Sequence, residues 1–263
     1  MNVMEIENAA RLAWPALEEE ELPFGVLRYS CGKDRRANSL SLYPYAEFEI
    51  GKLIDAAEKF FVERAAAPIV KIVQPGGISS ASTADIDSAL ELRGYEKQAP
   101  TLSMLLDLEG VLDSKVNFEN ASVEKVDVGS WLQAWCALSD RHFEEVDVHK
   151  ELLEKSKLAH LFLLKQDIHG DPMSSGMAVY ANRAMGLFGI STTAAHRKMG
   201  YAVEIINSLL YWGIKKGAKF AYLQVEESNR AAIELYQKLG FRKSYSYWYR
   251  VRTPRTNKRG AGA

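Results

Sequence analysis

Cysteine is scarce in this chain. Two residues, Cys31 and Cys136, among 263 cannot build a disulfide framework. Neither belongs to a CxxC pair, and five scattered histidines make no zinc-ligand spacing, so no metal is expected. Charge of one sign is also missing. The formal net charge is −1, which removes the composition of a nucleic-acid binder. No apolar run approaches the roughly 20 residues needed to span a bilayer, so no membrane partner is expected. The start, Met1 to Leu22, is acidic and lacks the apolar core of a signal peptide. The expected location is therefore cytoplasmic. Only eight prolines interrupt the chain, and 47% of its residues are hydrophobic, which leaves room for long elements and a sizeable core.

The charge that is present is uneven. Residues 1–115 carry a net −7 and residues 116–263 a net +6. Five of the positives, Arg250, Arg252, Arg255, Lys258 and Arg259, fall in the last 14 residues. The asymmetry is thus mostly a tail effect, and residues 253–263 read as a flexible basic tail. A solubilising end suits it better than an RNA contact.

Periodicity predicts helices and strands in alternation. A first helix is expected from Met4 to Glu21, with Pro15 as a break point. Strands follow at Gly25–Cys31 and Ala37–Leu42, then a helix at Phe48–Arg64. A strand at Ile69–Val73, a helix at Asp85–Leu92 and a strand at Thr101–Leu108 complete the first half. The linker is placed within Asp107–Asn120. The second half reads as a strand at Ser122–Val126 and helices at Gly129–Phe143 and Val148–Leu158. Strands follow at His160–Leu164, Met173–Tyr180 and Met185–Thr192. A long helix spans Tyr201–Lys215 and a strand Phe220–Val225. A helix at Asn229–Leu239 and an aromatic strand at Phe241–Val251 close the chain. The halves share an ending: helix, Gly94-Tyr95-x-Lys97, strand, and helix, Gly240-Phe241-x-Lys243, strand. The offset of 146 residues implies two copies of one unit.

Two segments carry chemistry. Ile190-Ser191-Thr192 ends a strand, and Arg197-Lys198-Met199-Gly200-Tyr201-Ala202 leads into the long helix. A helix start offers unpaired N–H groups and a positive dipole end, both suited to a diphosphate. Glycine at 200 and alanine at 202 keep the backbone approachable. Twenty-seven residues after Ala202 stands Asn229, a helix N-cap candidate. Tyr236 lies two turns further on the same helix face, and Gly240 supplies the left-handed stop.

The order strand, Arg197-x-x-Gly200-x-Ala202, helix, strand, Asn229, Tyr236, Gly240-Phe241 resembles the GNAT superfamily of acyl-CoA-dependent N-acyltransferases. The resemblance covers about Ser122 to Arg252. It implies an α/β (α+β) fold of two tandem GNAT-like domains, each a mixed, mainly antiparallel sheet flanked by helices. The expected division is 1–115 for a degenerate domain and 116–252 for the catalytic one. The whole resembles tandem GNAT proteins, an architecture shared by mycothiol synthase. Two departures stand in the loop: Ala202, where many members carry glycine, and Lys198-Met199. Neither removes a backbone donor.

The resemblance also implies roles. Ile190, Ser191 and Thr192 would pair with a pantetheine arm, and amides from Arg197 to Ala202 would hold the diphosphate of acetyl-CoA. Asn229 would touch the pantetheine, and Tyr236 would protonate the leaving thiolate. Glu226, just past a strand end, is the candidate base; Glu144, Glu145 and His142 stay open as alternatives. The reaction would be direct attack of a primary amine, small molecule or protein, on the thioester. The alternative is an acyl-CoA sensor or scaffold without turnover. In the first half, Leu42 to Glu49 has a proline and two carboxylates in place of the phosphate loop, and Leu90 takes the position of Tyr236. That half would scaffold or wall the acceptor site. Tyr245, Tyr247 and Tyr249 alternate on the last strand and suit a sheet cover, a cleft lining or a homodimer contact.

Overall fold

A computed structural model describes residues 1–31, 34–43, 48–75, 81–109, 123–139 and 146–253. In chain order the elements begin with α1 (Val3–Ala13), β1 (Glu18–Leu22), β2 (Gly25–Tyr29), β3 (Leu40–Leu42) and α2 (Ile50–Val62). Then come β4 (Ile69–Pro75), α3 (Ala81–Leu92), β5 (Glu96–Asp107), β6 (Glu124–Lys125), α4 (Val128–Leu138) and α5 (Val146–Lys155). The remainder is β7 (Ala159–Gln166), β8 (Pro172–Ala181), β9 (Ala184–Thr192), α6 (Tyr201–Lys215), β10 (Phe220–Glu226), α7 (Arg230–Lys238) and β11 (Arg242–Val251).

Local chemistry explains most of these boundaries. Asn2 starts α1 with a capping box: its side chain accepts from Glu5 N, and Glu5 accepts from Asn2 N. Asp127 caps α4 by accepting from Ser130 N at 3.0 Å. Leu53, Ile54, Ala57, Phe60 and Phe61 form the buried stripe of α2. Ile205, Ile206, Leu209 and Leu210 do the same for α6, and each such buried side chain contributes about 1.5–3 kcal/mol.

Two compact units result. The first comprises Met1–Leu17 and Thr101–Tyr245. Its strands run in the order β5-β10-β9-β8-β7-β6. All neighbours are antiparallel except β9 and β10, which are parallel from Ala184↔Phe220 to Leu187↔Leu223. Helix α6 packs its stripe on one face with Leu187, Leu223, Ile233 and Tyr236. Helices α1 and α4 also pack on β8 and β9. There Trp14 stacks on Phe188 at 6.1 Å and meets Trp135 edge-on at 6.1 Å.

The second unit comprises Glu18–Pro100 and Ser246–Ala263. Its strands run β1-β2-β3-β4, with β11 beside β4. Here β3 and β4 are the parallel pair, through Leu40↔Val70 and Ser41↔Lys71. Arg250, 5% exposed, ties β11 to α3 through both Asp87 oxygens, at 2.7 and 2.6 Å.

These units depart from the expected division at 115/116, a boundary that lies outside the described residues. Helix α1 and residues 101–107 of β5 belong with the second half. The final residues of β11 belong with the first. The reason is strand pairing: β5 aligns with β10 from Thr101↔Glu226 to Asp107↔Phe220, and β11 runs along β4. The 146-residue repeat is visible in the helix stops. Tyr95 N donates to Leu90 O and Phe241 N to Tyr236 O, both at 3.0 Å, with Gly94 at φ +81° and Gly240 at φ +92°. Leu90 and Tyr236 therefore hold the same place in their units.

Candidate functional site

The site is built where β9 leaves β10. Their parallel pairing ends at Leu187↔Leu223, while β10 continues against β5 as far as Glu226↔Thr101. From Phe188 onward β9 pairs with no described strand on that side. On its other side β9 stays with β8, but the register slips. Ser175 faces Ser191 and Met177 faces Phe188, so Gly189 and Ile190 together stand opposite Gly176. This is a β-bulge, and Gly189 takes a left-handed φ of +57° within it. Serines from β8 pin the bulge: Ser175 Oγ donates to Gly189 O at 2.9 Å and Ser174 Oγ to Ser191 O at 2.8 Å. Ser191 Oγ donates to Leu138 O at 3.0 Å, which ties the strand to the end of α4.

Past Thr192 the chain makes one 3-10 turn, Ala194–His196, then runs exposed through Arg197, Lys198, Met199 and Gly200 into α6. Thr193 Oγ1 lies 2.7 Å from His196 Nδ1 and steadies the turn. Lys198 is at φ +65° and Gly200 at φ +87°, ψ −6°. Left-handed residues at this spacing build the concave backbone that binds anions. The first bond of α6 runs from Glu204 N to Gly200 O at 3.1 Å. The N–H groups of Lys198, Met199, Gly200, Tyr201 and Ala202 meet no acceptor among the described residues. They are the donors a helix start leaves over, and they lie in an exposed loop beside the positive end of the helix.

On the second helix, Asn229 is the N-cap of α7, its side-chain oxygen accepting from Ala232 N at 3.2 Å. Two turns on, Tyr236 is buried, with its ring 6.1 Å from that of Phe241. Burial pushes its phenol up to about 12, so it stays protonated across the neutral range. Its hydroxyl makes no hydrogen bond to any described residue. Glu226 ends β10 with an exposed side chain, and its carbonyl accepts from Asn229 N at 2.9 Å. His142, Glu144 and Glu145 lie outside the described residues, as does most of the Leu42–Glu49 segment.

Two features were not foreseen. Trp131 and Trp135 stack at 5.4 Å, 7° from parallel, and lie against the bulge. A Cβ on Gly189 would fall 2.5 Å from Trp131 Cζ2 and 3.1 Å from Trp135 Nε1. The other is Lys165 on β7, 7% exposed, whose Nζ lies 2.5 Å from Glu204 Oε2 and 4.6 Å from the Tyr201 ring centre. A lysine directly after the apolar run Leu161-Phe162-Leu163-Leu164, still within the strand, was the available signal. Among the described residues, no group of three or more His, Cys, Asp or Glu converges as a metal site, and no helix is long and apolar enough to cross a membrane.

The parallel strand pair that parts and the exposed helix start are elements that the resemblance to the GNAT superfamily implies. Comparison with known proteins agrees. A family model described as "Probable histone acetyltransferase Rv0428c C-terminal" matches residues 176–250. The "Uncharacterized N-acetyltransferase YobR" of Bacillus subtilis (strain 168) is 26% identical over 254 residues, 95% of this chain and 99% of that protein. A GCN5-related N-acetyltransferase from Kribbella flavida shares the fold with a TM-score of 0.68 at 15% identity, over 96% of each chain. A tandem GNAT protein from the clavulanic acid biosynthesis pathway aligns with a TM-score of 0.62 at 12% identity, over 95% of this chain and 88% of that one. The chain is thus similar to GNAT N-acetyltransferases and shares their fold, with a layout consistent with the tandem form.

Proposed function

We propose that the chain moves the acetyl group of acetyl-CoA onto a primary amine by direct attack. The observation that carries this reading is the row of N–H groups from Lys198 to Ala202, at the head of α6, that meet no acceptor among the described residues. Backbone donors and a helix dipole suit a diphosphate, and Arg197 and Lys198 add positive charge. The open edge of β9 at Ile190, Ser191 and Thr192 suits an extended amide-bearing arm laid down as an added strand. Asn229, its oxygen engaged in the cap, keeps its NH2 group for the same arm.

The thioester supplies an activated acetyl group. The amine nitrogen bonds to the carbonyl carbon and the carbon–sulfur bond breaks. Tyr236 supplies the proton that the departing sulfur takes up. Glu226 is the proposed acceptor of the proton the amine gives away. Drawing on the soluble acetyl-CoA pool sets the reaction in the cytoplasm.

Thiol release measured with acetyl-CoA against a panel of amines tests the proposal. Turnover with at least one amine is the expected result. Saturable calorimetric binding of CoA without turnover on any amine would replace the enzyme by a sensor. No heat on CoA addition would remove the assignment of the loop.

A further inference from the structure

Glu204 sits in the first turn of α6, one turn from the loop proposed to hold the diphosphate. A carboxylate there favours the positive helix end in the ligand-free protein. It also competes for that same end with any polyanion. Lys165 reaches across from β7 to within 2.5 Å of it, with side chains only 9% and 28% exposed. The same Nζ lies 4.6 Å from the ring of Tyr201, the first residue of α6. Tyr201 in turn lies 5.9 Å from the ring of His196, which is held to Thr193.

We propose that Lys165 is a positioning residue for acyl-CoA: it cancels the charge of Glu204 at the head of α6, so that the diphosphate meets a positive helix end. The inference rests on the reading of that loop as the diphosphate site. Because the two charges are nearly superposed, removing either one changes the field at the loop by a similar amount with opposite sign. Partial burial spares the pair much of the salt screening that weakens surface pairs.

The test is calorimetry of the full chain with CoA, and steady-state kinetics with acetyl-CoA and S-acetylpantetheine. K165M is expected to raise the CoA Kd and the acetyl-CoA KM about tenfold, with kcat within about twofold of the parent. E204Q is expected to bind CoA at least as tightly as the parent, and the double variant to return within about threefold of it. With S-acetylpantetheine, which lacks the diphosphate, K165M should match the parent. K165R keeps the charge and is expected to bind CoA as the parent does.

A structural role for the pair predicts something else. E204Q would then weaken CoA as K165M does, and S-acetylpantetheine would suffer equally. Either result overturns the proposal, as does K165M with parental affinity. If K165M fails to fold, the sign of the E204Q effect decides alone. Failure of the unmodified protein to bind CoA would instead overturn the diphosphate assignment itself.

Discussion

Gly200 and Gly94 form a natural matched pair. Gly200 has φ +87° and Gly94 φ +81°, and a Cβ on either would meet no atom within 4 Å. Alanine at each position therefore suffers the same penalty, backbone strain without a clash. That penalty is about 1 kcal/mol. It corresponds to a fall in Tm of about 2–4 °C for a domain of this size. Ligand binding separates the two positions. Relief of the strain at 200 swings the N–H groups of Gly200 and Tyr201 away from the loop concavity. Losing one charge-assisted bond to a phosphate costs about 1.5–3 kcal/mol, roughly a tenfold to hundredfold rise in Kd. At Gly94 there is no such donor row to lose. Differential scanning calorimetry and titration with CoA should thus give equal melting shifts for G200A and G94A, and weakened CoA binding for G200A alone. Unchanged CoA affinity in G200A, or an equal loss in G94A, would refute the reasoning.

Y236F should lower kcat about tenfold to hundredfold with little change in the acetyl-CoA KM, since the hydroxyl is asked only to donate a proton. Burial raises the Tyr236 phenol from 10 to about 12, so its contribution to stability is whole below pH 10 and is lost between pH 10 and about 12. Denaturant melts across that window should show the parent losing about 2–3 kcal/mol that Y236F keeps. Burial alone would push the Asp87 carboxyl up, but hydrogen bonds from Arg250 and Trp248 outweigh it and hold it below the usual range. Its stabilisation is therefore present above pH 4 and fades as pH falls further, and D87A, which leaves Arg250 with Glu91 at 3.3 Å and the Tyr95 carbonyl at 3.1 Å, should cost about 2–3 kcal/mol in urea melts at pH 7. G189A would force a methyl to 2.5 Å from Trp131 at a left-handed φ, so a loss of about 1–3 kcal/mol and a fall in kcat through the displaced bulge are expected.

Most elements were legible because periodicity and caps are local. The limits of α6 fall at the expected residues, Tyr201 and Lys215. The segment Glu18–Leu22 was not legible. Four consecutive glutamates favour a helix, and the first helix was expected to continue through them. They form an edge strand instead, paired antiparallel with β2 from Glu18↔Tyr29 to Leu22↔Gly25, and Arg64 holds Glu18 at 2.7 Å and Arg28 holds Glu19 at 2.9 Å. Arg64 lies 46 residues away, outside any local window. The division of the chain was hidden for the same reason. Which strand β5 joins depends on pairing with a segment more than 100 residues later, and nothing in its own composition announces it. In the candidate site the exposed loop and its glycine were readable, since helix starts carry local signals. The bulge was not: Met185–Thr192 reads as one regular strand, whereas Gly189 and Ile190 together face Gly176 of β8.

The two units also separate what a fold needs from what a reaction needs. Both keep a parallel strand pair, and both end a helix with a left-handed glycine and the same backbone bond, Tyr95 N to Leu90 O and Phe241 N to Tyr236 O. Those features serve packing, and packing accepts any buried side chain of suitable size. Leu90 is fully buried where its counterpart carries a hydroxyl. Leucine at 236 would lose the hydroxyl together with part of the buried ring that faces Phe241, at about 1–3 kcal/mol. If the hydroxyl is the proposed proton donor, Y236L, copied from the other unit, should lose the rate that Y236F loses, with a stability cost of about 1–3 kcal/mol read separately in urea melts. A Y236L variant that keeps its rate would place the hydroxyl outside the reaction.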